Sequence, residues 1–120
     1  AQVRAHEFVL GRRVALAMLL AQDPDVMLLD EPTSHLDIAH EVRSLELLAR
    51  LARERGRAVV MALHDLTLAA RFATHVILLG SESVESGPAG ALLTAEKLSA
   101  LYGQALVAVA HPRGTVFVPD

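Results

Sequence analysis

The stretch "VMLLDEPTSHLD", residues 26–37, decides the fold of this chain. Its apolar residues run directly into two adjacent carboxylates, Asp30 and Glu31, and a proline follows. An apolar run of this length is typical of a strand that is covered on both faces in a parallel sheet. The two acids then stand at the carboxyl end of that strand, which is the edge where open α/β sheets bind ligands.

Helical and strand patterns alternate around this strand. Residues 12–24 and 38–55 carry apolar residues at helical spacing, which predicts a helix on each side of it. The runs "AVVMALH" (58–64) and "HVILLG" (75–80) repeat the buried-strand pattern, and a short helix capped by Asp65 lies between them. This order of elements predicts an α/β fold with a parallel, doubly wound sheet.

The last third of the chain has a different pattern. "SVESG" (83–87) predicts a short strand, and "TAEKLSALYG" (94–103) predicts a helix with a cap at each end. "ALVAVAHPRGTVFVP" (105–119) predicts two strands joined by a Pro-Arg-Gly turn. We interpret this region as a small C-terminal β appendage that covers the sheet.

Composition narrows the possible functions. The 120 residues are 52% hydrophobic but only 3% aromatic, with a mean hydropathy of +0.38, which suggests surface that something else covers. The net charge of −3 gives no electrostatic footprint for nucleic acid. The absence of cysteine excludes disulfides and thiolate metal sites within these residues. The apolar runs are shorter than the roughly 20 residues that a membrane span needs.

Three titratable groups at neighbouring strand ends form the candidate site. Asp30 and Glu31 end the first strand and His64 ends the next one, and parallel strands bring these ends to one edge. One carboxylate can hold a magnesium ion and the other can orient a water for attack on a phosphoryl group. His64 can donate a hydrogen bond to that phosphate. The alternative for an Asp-Glu pair alone is a solvated turn.

These segments resemble a known family. "VMLLDEPTSHLD" is similar to the Walker B strand, catalytic glutamate and D-loop of ABC-transporter ATPases, and "VVMALHDL" is similar to their switch-histidine segment. "EPTSHLDIAHEV" and "LHDLTLAARFATHVILL" resemble most the subunits of bacterial importers for haem, iron-siderophore complexes and cobalamin. The resemblance covers residues 12–120 and implies the C-terminal half of a P-loop NTPase-type domain, with a partial parallel sheet and flanking helices.

The resemblance also implies roles for single residues. Asp30 would position Mg²⁺ through water, Glu31 would polarise the attacking water, and His64 would contact the γ-phosphate. The D-loop would contain Ser34, Leu36 and Asp37, facing a second ATPase subunit. The family uses ATP and Mg²⁺, works with a membrane permease, and is cytoplasmic and peripheral to the inner membrane.

Two departures from the family bear on activity. The 120 residues contain no G-x-x-x-x-G-K-[ST] loop, whose amides and lysine hold the β- and γ-phosphates. At residues 6–10, "HEFVL" stands where the family has L-S-G-G-Q, so that Glu7 replaces a serine and Phe8 and Val9 replace glycines. Residues 1–11 therefore look foreign to the family, as a truncation, fusion or altered reading frame would produce. We expect this chain alone to bind no Mg²⁺ or ATP and not to hydrolyse ATP.

Two functions follow from these observations. The first is a fragment of an importer ATPase subunit that couples ATP hydrolysis to solute uptake. The second is a non-catalytic interaction or scaffold module that retains the fold. Half a sheet also leaves an open edge and uncovered apolar faces, which predicts self-association. The basic side chains along the second helix and at its end are interpreted as a solvated face: Arg43, Arg50, Arg53, Arg55 and Arg57.

Overall fold

A parallel pair of strands organises the first half of the chain. The computed structural model describes residues 14–33 and 36–120, which divide into one unit ending at His64 and a second running from Asp65 to Asp120. The elements of the first unit are helical residues 14–22 (α1), strand β1 (Val26–Asp30), helix α2 (Ile38–Glu54) and strand β2 (Ala58–Ala62). The atypical segment 1–11, Arg12, Arg13, Ser34 and His35 lie outside the described residues.

Helix α2 forms where its apolar spacing and its end signals predict it. The side chain of Asp37 caps the first turn by accepting a hydrogen bond from the amide of His40 at 2.9 Å. At the other end, the amide of Arg55 donates to the carbonyl of Leu51, and Gly56 follows with φ +63°. A left-handed residue after the last turn is a common helix stop, and glycine adopts it without steric cost.

The core of the first unit lies on one face of the strand pair. Met27, Leu45 and Leu48 are each only 1% exposed, and α2 packs against β2. On the opposite face, Leu28 is 75% exposed and Val60, its partner in the register, is 51% exposed. The prediction that this strand is covered on both faces is therefore wrong for the described residues, because the second apolar face has no covering element there.

The second unit contains two hairpins and three short helices. In chain order these are α3 (Leu66–Phe72), β3 (His75–Leu79), β4 (Val84–Pro88), α4 (Ala89–Leu92), α5 (Ala95–Tyr102), β5 (Leu106–His111) and β6 (Gly114–Pro119). Its buried apolar residues are Leu68, Ala89, Leu92 and Leu98. Helix α3 packs on β6, α4 on β3 and β4, and α5 on β5.

The third predicted strand does not extend the parallel sheet. Strand β3 pairs antiparallel with β4, with His75 opposite Pro88 and Leu79 opposite Val84. The connection between them is only four residues long, and the amide of Gly80 donates to the carbonyl of Ser83 at 2.8 Å. A connection this short can join only antiparallel neighbours, so β4 runs antiparallel to β3. Among the described residues β3 pairs with β4 and with no other strand, so the prediction of a three-stranded parallel sheet is wrong there.

Local signals in the tail are confirmed. Thr94 caps α5 by accepting from the amide of Lys97, and Gly103 ends that helix with φ +64°. Strands β5 and β6 form the predicted hairpin, with Leu106 opposite Pro119. The α/β class, with a small parallel sheet, flanking helices and C-terminal strands, is confirmed. No helix among the described residues is long and apolar enough to cross a bilayer.

We expect Leu48→Ala to lower the free energy of unfolding by about 2–5 kcal/mol, because it leaves a cavity in the core of the first unit. The matched control is Leu47→Ala in the neighbouring position of α2, where the leucine is 38% exposed and less volume is lost from the core. Urea unfolding followed by circular dichroism measures both. Equal losses for the two variants would contradict this core assignment.

Candidate functional site

The carboxyl ends of β1 and β2 bring together the three groups that the sequence singled out. Asp30 is the last residue of β1, lies opposite Ala62 and is exposed. Glu31 follows it, and its amide donates to the carbonyl of Ala62 at 3.0 Å, which extends the strand ladder by one bond. His64 lies two residues beyond the end of β2. Parallel pairing thus places residues from two distant segments at one edge.

Glu31 and His64 are in direct contact. Nε2 of His64 lies against Oε1 of Glu31, and since an ionised carboxylate can only accept, Nε2 carries the hydrogen. The side chain of His64 is 88% exposed and that of Glu31 is 32% exposed. Water screens such a pair, so it contributes little to stability, on the order of 0–1 kcal/mol. A ligand that binds Glu31 or His64 more strongly can therefore displace this contact.

The backbone at Glu31 is in an unusual conformation. Glu31 has φ +45°, a left-handed region that a residue with a Cβ enters at a cost of about 1–2 kcal/mol. Asp30 still belongs to the strand, whereas Glu31 has left it. The sequence predicted different tasks for the two acids, and strand alternation, which points successive side chains to opposite faces, would be the simplest way to separate them. In the structure a reversal of φ at Glu31 separates them instead, and strained backbone of this kind concentrates at functional sites.

The turn after Glu31 carries a buried polar residue that the sequence reading missed. Thr33 is only 4% exposed, and its carbonyl accepts a hydrogen bond from the amide of Leu36 at 3.2 Å. Threonine in a Pro-Thr-Ser stretch reads as surface turn, so its residue type alone gave no signal of burial. Its burial fixes the chain directly after Glu31.

The residues assigned to the D-loop are only partly described. Ser34 lies outside the described residues, and Leu36 is half-buried. Asp37 caps α2, and its Oδ1 accepts from Nδ1 of His40 at 2.8 Å as well as from the His40 amide. The capping role was readable from an aspartate directly before an apolar helical run. Whether these residues face a second subunit remains a prediction.

The donor set at this edge suits a magnesium ion that takes most of its ligands from water and substrate phosphates. Mg²⁺ prefers hard oxygen ligands and is commonly held by one or two carboxylates together with waters and substrate phosphates. Asp30 supplies one exposed carboxylate oxygen pair. No group of three or more His, Cys, Asp or Glu side chains that could hold a metal ion is found in the described part of the chain. The site therefore fits an ion that waters and a nucleotide coordinate in large part.

The opposite edge of the strand pair carries a second polar contact. Nη2 of Arg57 donates to Oδ2 of Asp23 at 2.8 Å, and Nη1 contacts Oδ1 of Asp25. The side chain of Arg57 is only 21% exposed, so the interpretation of this residue as part of a solvated face is wrong. Its basic side chain just before a strand gave no hint of partners that lie more than thirty positions earlier in the chain.

Fold and site together define a class of protein. A β–α–β unit with a parallel strand pair, adjacent carboxylates ending one strand and a histidine beyond the next is the arrangement of the Walker B half of a P-loop NTPase-type domain.

Comparisons with known proteins agree with this class. The chain is 42% identical over 102 residues to the ferric enterobactin transport ATP-binding protein FepC of Escherichia coli K12, which is 84% of this chain and 38% of FepC. It is 42% identical over 103 residues to the iron(3+)-hydroxamate import protein FhuC of Bacillus subtilis, covering 85% of this chain and 38% of FhuC. The hemin import protein HmuV of Streptomyces coelicolor is 47% identical over 105 residues, covering 84% of this chain and 36% of HmuV.

A solved structure matches over about the same share of this chain as these relatives do. An ABC transporter of the metal-chelate type, in an inward-facing conformation, matches with a TM-score of 0.75 and 31% identity, over 84% of this chain and 42% of that chain. No family model matches. The homologues found are ATP-binding subunits of ABC transporters for iron-siderophore and haem import, and this chain resembles a part of such a subunit. It spans little more than a third of the length of these relatives.

We expect Glu31→Val to destabilise the fold by about 1–2 kcal/mol relative to Glu31→Asn, because asparagine tolerates a positive φ and a β-branched residue does not. Both substitutions remove the carboxylate, so their difference isolates the backbone conformation from the contact with His64. Chemical denaturation measures the two variants side by side. Equal stabilities would show that the left-handed conformation at position 31 costs nothing.

Proposed function

We propose that this chain is the part of an importer ATPase subunit that positions Mg²⁺ and the attacking water, and so couples ATP hydrolysis to uptake of an iron chelate or haem. The observation that carries the proposal is the contact between Glu31 and His64 beside Asp30 at one sheet edge. The solute class rests on the relatives, whose names give ferric enterobactin, iron(3+)-hydroxamate and hemin.

The proposed chemistry assigns one task to each group. Asp30 holds waters around Mg²⁺, which when bound neutralises charge on the phosphates. Glu31 accepts a hydrogen bond from the attacking water and orients it in line with the γ-phosphorus. His64 turns its Nε2–H from Glu31 to a γ-phosphate oxygen, where charge develops. The weak, exposed contact between Glu31 and His64 suits this exchange, because little free energy opposes it.

We propose further that residues 1–120 alone hydrolyse no ATP and hold neither ATP nor Mg²⁺ firmly. A phosphate-binding loop makes several charge-assisted hydrogen bonds, each worth roughly 1.5–3 kcal/mol. No such loop stands in these residues, and a water-mediated contact to Asp30 cannot replace it. The altered stretch "HEFVL" favours the second candidate, a non-catalytic module that retains the fold.

The proposed setting follows from the same family. The partners are a membrane permease and a second ATPase subunit, with Ser34, Leu36 and Asp37 at the subunit boundary, and nucleic acid is not among them. The location is cytoplasmic and peripheral to the inner membrane. Self-association of this chain is proposed from its exposed apolar strand face, where Val26, Leu28 and Val60 are each more than half exposed.

A chimera tests the catalytic proposal. The segment of E. coli FepC that matches this chain is replaced by the matching residues of this chain, and phosphate release by the chimera is measured with MgATP. We expect hydrolysis, with Glu31→Gln lowering the rate by about 10²–10⁴-fold and the control Glu54→Gln, at an exposed position on α2, leaving it unchanged. The 120 residues alone should release no phosphate and show no MgATP-dependent rise in melting temperature.

Two results would count against the proposal. A folded chimera without hydrolysis favours the non-catalytic module. Phosphate release by the 120 residues alone, above the level of their own Glu31→Gln variant, overturns the claim that they are inactive by themselves.

Light scattering tests self-association. We expect a species larger than the 12.9 kDa monomer at micromolar concentration. The double variant Leu28→Lys and Val60→Lys should shift it toward monomer, because two charges then occupy the exposed strand face. Thr67→Lys, at an exposed position on α3, controls for added charge alone. A sharp monomer peak for the unaltered chain would exclude self-association.

A further inference from the structure

The apolar pattern of β1 and β2 is compatible with more than one register. Residues 26–29 and 58–63 are apolar without interruption, and a shift of two residues keeps every side chain on its own face, so this pattern does not distinguish the observed pairing from a shifted one. The contact between Glu31 and His64 nevertheless requires one register, since a two-residue shift displaces one strand end by about 6–7 Å relative to the other. Something other than hydrophobic pattern must select it.

Polar contacts between the two strand segments are found at both ends. At the carboxyl end, Glu31 meets His64; at the amino end, Arg57 contacts Asp23 and Asp25. The two ends differ in exposure. At the carboxyl end the side chains of His64 and Glu31 are 88% and 32% exposed. At the amino end Arg57 is 21% and Asp23 40% exposed, whereas Asp25 is 93% exposed. Charge-assisted hydrogen bonds gain strength away from water, so the bond between Arg57 and Asp23 is the best shielded of these contacts.

Arg57 is well placed to define where each strand begins. It directly precedes β2, and the next amide, that of Ala58, donates to the carbonyl of Asp25 directly before β1. The Arg57 amide itself donates to Leu51 near the end of α2 at 3.4 Å. Main chain and side chain of one residue therefore link the starts of both strands with the last turns of the intervening helix.

The guanidinium also carries a cost that the two contacts must offset. Nε of Arg57 is buried without a hydrogen-bond partner among the described residues, which is unfavourable for a charged donor. Asp23, one of its partners, has φ +49°. A lysine ammonium has three donors but presents them from one nitrogen, so it lacks the fixed fork in which two guanidinium nitrogens each reach a different carboxylate.

We propose that Arg57 is a positioning residue: its bridge to Asp23 and Asp25 fixes the β1–β2 register and holds Glu31 opposite His64 from the far end of the strands. This rests on the proposed function for the roles of Glu31 and His64. Under that proposal His64 leaves Glu31 when phosphate is present, and the register is then maintained by the amino-end contact.

Disulfide trapping in this cysteine-free chain measures the register directly. Three double variants are compared: Leu28→Cys with Val60→Cys for the observed register, and Leu28→Cys with Ala58→Cys or with Ala62→Cys for the shifted ones. All these positions lie on the exposed face, and directly paired Cα atoms, about 4.8 Å apart, are within disulfide range. Mild oxidation followed by mass spectrometry gives the ratio of native to shifted crosslinks.

We expect Arg57→Gln to lower this ratio by about tenfold, the factor that corresponds to loss of one charge-assisted hydrogen bond. Arg53→Gln, which removes an exposed charge from the last turn of α2, should leave it unchanged. Should Arg57→Gln lose its helical signal in circular dichroism, Arg57→Lys is measured under the same criterion, with a smaller fall expected.

An unchanged ratio in a folded Arg57 variant of reduced stability would overturn the proposal, because it would make Arg57 a stabilising residue with no influence on the register. The crosslinking uses no nucleotide. Its failure therefore leaves the proposed ATPase role untouched, and an inactive chimera leaves the register result untouched.

Discussion

The parallel pairing of β1 with β2 is the constraint on which the rest of this structure depends. It places Asp30 opposite Ala62, joins Glu31 to Ala62 through the backbone, and brings His64 within reach of Glu31. Glu31 and His64 lie more than thirty positions apart in the sequence, and the strand pairing brings them together. The site is therefore a consequence of the register, and a force that shifts the strands would separate its parts without altering a single functional residue.

The two polar contacts on these strands suit different purposes. The pair of Glu31 and His64 is exposed enough for water to screen most of its energy, so phosphate can compete for the histidine at low cost. The guanidinium of Arg57 is 21% exposed and bridges Asp23, which is 40% exposed, and Asp25, which is 93% exposed, so water screens its bond with Asp23 less than its contact with Asp25. If the contact between Glu31 and His64 is exchanged at one end of the strand pair, the register is kept only when the contacts of Arg57 at the other end remain in place.

Sequence alone predicted what local signals determine. Asp65 and Thr94 mark helix starts, Gly103 marks a helix end, and each lies where it was expected. The sequence did not predict the antiparallel pairing of β3 with β4, because an apolar strand pattern does not show in which direction the neighbouring strand runs. The three site residues followed from their positions at strand ends, because parallel strands share an edge. The left-handed conformation at Glu31 and the bridging role of Arg57 carry no compositional signal, since each depends on atoms from a distant segment.

The high mean hydropathy comes from apolar side chains on the exposed faces of the sheets rather than from the core. Each sheet among the described residues has two strands. Strands β1 and β3 each carry a leucine, Leu28 and Leu79, whose side chain is more than 70% exposed. Two-stranded sheets are marginal by themselves, and continuous apolar strands are favoured where both faces are covered. The strands that carry the candidate site thus have a composition suited to burial on a second face. Covering that face would bury these apolar side chains and so stabilise the edge that carries the candidate site together with the fold.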